Sequence, residues 1–186
     1  MQLLGGESGI AIDTALGIGD GRLLVSAPVI VNRDIYTPAE PKVDVVDDHH
    51  LVLTYPNHAE VKVVLAGSKA VISFSGMPPE ATALSVRMVI HRDASQGGRY
   101  VLDQKEEVFP EEDERKELFS GTASAFTLID PAGARLVVQA PDLRLRLENK
   151  GAEGWSHFAV SWTFVFADHP NQNSFDLNVR IPEEVR

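Results

Sequence analysis

Phe175, Leu177, Val179 and Ile181 alternate with Asp176, Asn178 and Arg180 in SFDLNVRIP, and that period of two recurs along most of the chain. Successive side chains of a β-strand point to opposite faces, so the alternation describes strands with one face on a core and the other in water. DLRLRLE repeats it with Leu143, Leu145 and Leu147 against Arg144, Arg146 and Glu148, and AEVKVVLAG with Val61, Val63 and Leu65. RLLVSAPVIVN, KVDVV, LVLTY, AVISFSG, LSVRMVIH, AFTLID and ARLVVQA are further strand candidates. Turn formers separate them in place of amphipathic helices. IDPAGAR sets Asp130, Pro131 and Gly133 where a type I turn with a following glycine prefers them, and GMPPE, SQGGR, NKGAEG and HPNQNS break the chain elsewhere. About ten or more short strands at close spacing predict an all-β fold, an antiparallel β-sandwich of jelly-roll or supersandwich type. Residues 1–186 are expected to form one such domain, because a chain of this length removes roughly 70% of its extended surface from water around one core.

DQKEEVFPEEDERKELFSG resists the strand reading. Pro110 interrupts a run of Glu106, Glu107, Glu111, Glu112, Asp113 and Glu114, which predicts one short helical or irregular acidic segment. Pro and acids early with Arg115 and Lys116 late would suit a turn or two of helix between Pro110 and Leu118. So many carboxylates leave a structural calcium open, although no EF-hand spacing is present. The spaced glycines Gly17, Gly19 and Gly21 lack the strand-turn-helix setting of a dinucleotide site and read as hairpin turns.

A net charge of −10 argues against nucleic acid and anionic membranes as partners, since both are held by basic fields. No segment approaches the ~20 apolar residues that span a bilayer, and MQLLGGESG lacks the basic and apolar regions of a leader. A leader removed ahead of residue 1 would imply an extracellular or periplasmic address. Without cysteine there is neither a disulfide framework nor a thiolate metal site.

Both tryptophans fall within GWSHFAVSWTFVFAD. Trp162 shares strand parity with Phe158, Val160, Phe164 and Phe166, an aromatic face expected to form a wall of the core. Trp155 shares the other parity with His157 and is expected to point outward at a strand start. There an indole can cover a sheet edge, contact a protein, or stack on the C–H face of a sugar ring while neighbouring polar groups bond its hydroxyls. Arg144 and Arg146 stand two residues apart on one outward face, placed to meet an acidic ligand or neighbouring acids.

Catalytic signatures are sparse. His49, His50, His58, His91, His157 and His169 show no i, i+4 pair, so no metal ligands are assigned, and there is neither a G-x-S-x-G elbow nor a cysteine nucleophile. VIHRDASQGGRY gathers His91, Arg92 and Tyr100 near a Gly-Gly turn. A polysaccharide lyase needs a cation for the uronate carboxylate and a Tyr or His to move protons, and a polar hairpin tip would use the same residues. No residue is assigned a catalytic role.

In strand rhythm and aromatic placement, VKVVLAGSKAVISFSGMPPEATALSVRMVIHRDASQGGRYVL, LFSGTASAFTLIDPAGARLVVQAP and GWSHFAVSWTFVF together resemble noncatalytic β-sandwich or supersandwich modules of bacterial polysaccharide-degrading enzymes, over about residues 60–181. The resemblance implies a module that binds glycans or braces an adjacent catalytic domain, with a carbohydrate as ligand and no cofactor. Strand parity, and not the family, marks Trp155, His157, Arg144, Arg146, His91, Arg92 and Tyr100 as ligand candidates. A polysaccharide lyase or glycosidase and a protein-protein interaction module stand as alternatives.

Overall fold

The computed structural model describes residues 1–5, 9–14, 16, 21–33, 35–36, 41–112, 114–151 and 156–182, the side chains of 35, 36 and 156 excepted. In chain order the strands are β1 (Gln2–Leu4), β2 (Gly9–Asp13), β3 (Arg22–Ser26), β4 (Val29–Asn32), β5 (Ile35–Tyr36), β6 (Lys42–Asp47), β7 (His50–Thr54), β8 (Glu60–Ala66) and β9 (Lys69–Ser75). There follow β10 (Ala83–His91), the helical turn α1 (Arg92–Ser95), β11 (Arg99–Leu102), β12 (Lys105–Val108), β13 (Lys116–Thr122), β14 (Ala125–Ile129), β15 (Arg135–Gln139), β16 (Arg144–Asn149), β17 (Ser156–Val165), a 3₁₀ turn over Phe166–Asp168, and β18 (Ser174–Arg180).

These strands form two nine-stranded sheets, and every strand pair is antiparallel. The first sheet runs β1-β2-β3-β10-β17-β16-β13, with β4 also on β10 and β5 on β4. The second runs β12-β11-β14-β15-β18-β9-β8-β7-β6. The fold is an antiparallel β-sandwich, as the alternation predicts.

Strand β17 is the wall on which the layers meet. Its inward residues Phe158, Val160, Trp162 and Phe164 are each 1% exposed or less. They touch aromatics from across the sandwich. Phe126 meets Trp162 edge-on at 6.3 Å, Phe109 lies 4.6 Å from Phe158, and Phe175 stacks on Phe164 at 5.3 Å. Such pairs add about 0.5–1.5 kcal/mol each beyond the area they bury.

Two features differ from expectation. RLLVSAPVIVN is not one strand: Pro28, which has no N–H for the ladder, divides it into β3 and β4, both on the same edge of β10. The break removes a backbone partner from Arg87 N–H, and the Ser26 hydroxyl accepts that hydrogen bond at 3.0 Å. Tyr55, buried in the opposite layer, donates its hydroxyl to the Pro28 carbonyl.

The acidic segment is irregular around Glu111–Glu112 and forms no helix among its described residues. Its ends belong to β12 and β13, because Lys105–Val108 pairs with β11 and Lys116–Thr122 with β16. The fully buried Phe109 and a 2.7 Å hydrogen bond from Asn149 Nδ2 to the Glu112 carbonyl fasten it to the sandwich. Its acids are partly spent on cations: Glu106 pairs with Arg99 at 2.6 Å and Glu107 with Lys105. The terminal strands of the second sheet, β12 and β6, are rich in charge, KEEV and KVDVVD, and mostly exposed.

Candidate functional site

The outward face of the first sheet carries two polar rows set by register. Thr122, Arg144, Thr163 and Ser85 lie opposite one another across β13, β16, β17 and β10, and Ser120, Arg146, Ser161 and Arg87 do the same two residues along. Within the rows the Ser85 and Thr163 hydroxyls are 3.0 Å apart, and Arg87 Nε donates to Ser161 Oγ at 3.3 Å. The next row sets Glu117 directly opposite Glu148, a like-charge pairing that is unfavourable alone. Arg146 relieves it by reaching both carboxylates, Glu117 at 2.7 Å and Glu148 at 3.2 Å. Arg144 donates from Nε and Nη2 to Asp168 at 3.1 and 2.9 Å. The two arginines thus meet neighbouring acids, and they also border a cleft.

That cleft, of about 360 Å³, is lined by Arg33, Thr82, Ser120, Arg144, Arg146 and Thr163, with Val165 as its half-buried apolar side chain. Arg33, Thr82, Ser120 and Thr163 were not singled out by sequence pattern. Thr163 was within reach, since its parity opposes that of Trp162. Arg33 and Thr82 arrive through β4 pairing with β10, where Thr82 Oγ1 bonds the Val31 carbonyl at 3.0 Å, and no local pattern announces that. A second concavity of about 460 Å³ opens at the β17–β18 connection, where Asp142, Asn171, Gln172, Asn173 and Asp176 surround Phe164 and Phe175.

The other sequence candidates do not join the cleft. Trp155 lies outside the described residues. His157 has the outward parity expected of it but is only 2% exposed. The reason is α1, which folds over this end of β17 and brings the buried Ser95 Oγ to 2.9 Å from His157 Nδ1. Ser95 also donates to the His91 carbonyl at 3.0 Å. A hydroxyl whose one proton is committed there accepts from His157, which selects the Nδ1–H tautomer.

His91 caps α1, its imidazole accepting from Asp93 N–H at 3.3 Å, and the half-buried Arg92 opens the turn. Tyr100 enters the second sheet and faces the core. It is 3% exposed, packed 5.0 Å from Phe109, and bonded through its hydroxyl to Glu107. Burial first, then that carboxylate, push its pKa up. Tyr100 is thus a core residue, and it does not sit with His91 and Arg92 at a solvent-facing tip. Segment 91–100 crosses between the layers, guided by Gly98, where a Cβ would come within 2.5 Å of the Ala94 carbonyl and 2.8 Å of that of Ile129.

Among the described residues no group of three or more His, Asp or Glu side chains is placed to hold a metal, and no helix is long and apolar enough to cross a membrane. The architecture and the cleft define a β-sandwich with a polar, arginine-bordered depression on one sheet.

The chain matches no protein-family model and no curated protein. Among solved structures it is similar to a GH31 family sulfoquinovosidase from E. rectale in complex with the aza-sugar inhibitor IFGSQ, with TM-score 0.53 and 8% identity over 98% of this chain and 32% of that one. The chain therefore spans about a third of the sulfoquinovosidase's length. The protein HI1317 gives TM-score 0.51 and 10% identity over 92% of this chain and 80% of that one. At such identities the likeness is one of fold.

Proposed function

We propose that this chain is a noncatalytic carbohydrate-binding or accessory β-sandwich module that acts beside a polysaccharide-degrading domain. The observation that carries the reading is the cleft on the first sheet. Its hydroxyls and guanidinium groups are hydrogen-bonding partners for sugar hydroxyls, and Val165 offers an apolar contact to the C–H face of a pyranose. The fold is compatible with a carbohydrate-related β domain, since a sulfoquinovosidase has a similar fold over about a third of its length. Of the proton-moving groups the lyase alternative would take from segment 91–100, Tyr100 is enclosed in the core while His91 caps α1 on the other sheet's side, an arrangement that favours binding over catalysis.

Affinity electrophoresis through gels cast with neutral and acidic polysaccharides tests this. The wild type is expected to be retarded by at least one of them, with retardation reduced in Arg144→Ala and Thr163→Val. Trp155→Ala in the same gels reports whether that indole adds a stacking platform. Equal mobility of the wild type with and without every polysaccharide would overturn the reading.

A further inference from the structure

The described lining of the first-sheet cleft contains three arginines, Arg33, Arg144 and Arg146, and no acid, in a chain whose net charge is −10. Around it, Asp168 pairs with Arg144, Glu117 with Arg146, and Glu148 is shared by Arg146 and Arg87.

The carboxylates are not lining residues. They orient Arg144 and Arg146 by accepting from some of the five N–H donors each guanidinium has, so other donors remain for a ligand. Arg33 differs from the others. It is exposed at the short hairpin connection between Asn32 of β4 and Ile35 of β5, a turn that accounts for its φ of +46° and sets the side chain at the rim of the cleft.

We infer that the cleft binds a sugar bearing an anionic group, a carboxylate or sulfate-type oxyanion, with the Arg33 guanidinium as its principal counter-charge and Arg144 and Arg146 as flanking donors. This rests on the carbohydrate-binding reading above and narrows it from sugars in general to acidic ones. The planar guanidinium presents two parallel N–H bonds to an oxyanion, a geometry an ammonium cannot copy.

Calorimetric titration with oligogalacturonate and with its fully methyl-esterified, neutral counterpart separates the possibilities. The acidic oligomer should bind the wild type at least about 10-fold more tightly in low salt, with the difference shrinking toward ~0.3 M salt as exposed charges are screened. Arg33→Gln should abolish that preference by weakening the acidic oligomer about 10-fold more than the neutral one, and Arg33→Lys should restore only part of it. Lys62→Gln, a charge change on the other sheet, should alter nothing. Equal binding of both oligomers would overturn the inference and leave the carbohydrate reading intact. Binding of neither would overturn the inference for this cleft, and the polysaccharide gels above would decide the carbohydrate reading. A full acidic preference in Arg33→Gln would remove the anion from this cleft.

Discussion

The two ends of β17 have the same outward parity and opposite surroundings. Near its start, His157, Ala159 and Ser161 point away from the sandwich core, yet none is more than 2% exposed. Near its end, Thr163 and Val165 have the same direction and line an open cleft. The difference comes from what covers each end: α1 roofs His157, the Arg87 side chain lies on Ser161, and nothing among the described residues covers the second end to the same degree. Strand parity tells which side of a sheet a residue takes. Whether that side meets water depends on what the rest of the chain lays over it.

The comparison can be broken at three points. Trp162→Ala removes the inward wall shared by both ends, and loss of a fully buried indole should lower unfolding free energy by about 3–5 kcal/mol, measured by urea denaturation. That is a large part of the 5–15 kcal/mol typical of a domain. Ser95→Ala attacks only the roofed end. It deprives the buried His157 Nδ1 of a hydrogen-bond partner and should cost about 1–3 kcal/mol, with faster amide exchange confined to α1 and the start of β17. Arg144→Ala acts at the open end, where both members of the Asp168 pair are exposed, at 59% and 45% of their side-chain area. Its cost in the same denaturation assay should be about 0–1 kcal/mol. A silent Ser95→Ala, or an Arg144→Ala as costly as Trp162→Ala, would mean that the two ends are not distinguished by their covering.

Strand rhythm made the sandwich and its inner face legible. Phe158, Trp162 and Phe164 lie where alternation puts them, and so do Leu143, Leu145 and Leu147. Parity also put Arg144 and Arg146 on the outer face, and their pairing with Asp168, Glu117 and Glu148 was open to anticipation in an acidic chain. What stayed hidden depended on long-range placement. Nothing in RDAS marks it as a lid for a strand more than sixty residues later. Tyr100 reads as polar because its neighbours are polar, but the chain changes layers at Gly98 and turns the ring inward. Strands β12 and β13 escaped because edge positions impose little hydrophobic alternation. KEEV becomes a strand through its ladder with β11. The cleft itself joins β4, β10, β13, β16 and β17, and a window of ten residues contains no trace of such a meeting.

The charged terminal strands of the second sheet bear on solubility. A sandwich that does not close into a barrel leaves rows of backbone donors and acceptors at its margins, a template on which further chains can add and polymerise. Lys42, Asp44 and Asp47 on one margin and Lys105, Glu106 and Glu107 on the other put ionic groups in the path of any incoming strand. Val45 and Val46 remain exposed between them at 52% and 66%, so neutralising Asp44 and Asp47 would convert that margin into the place where aggregation of this protein begins.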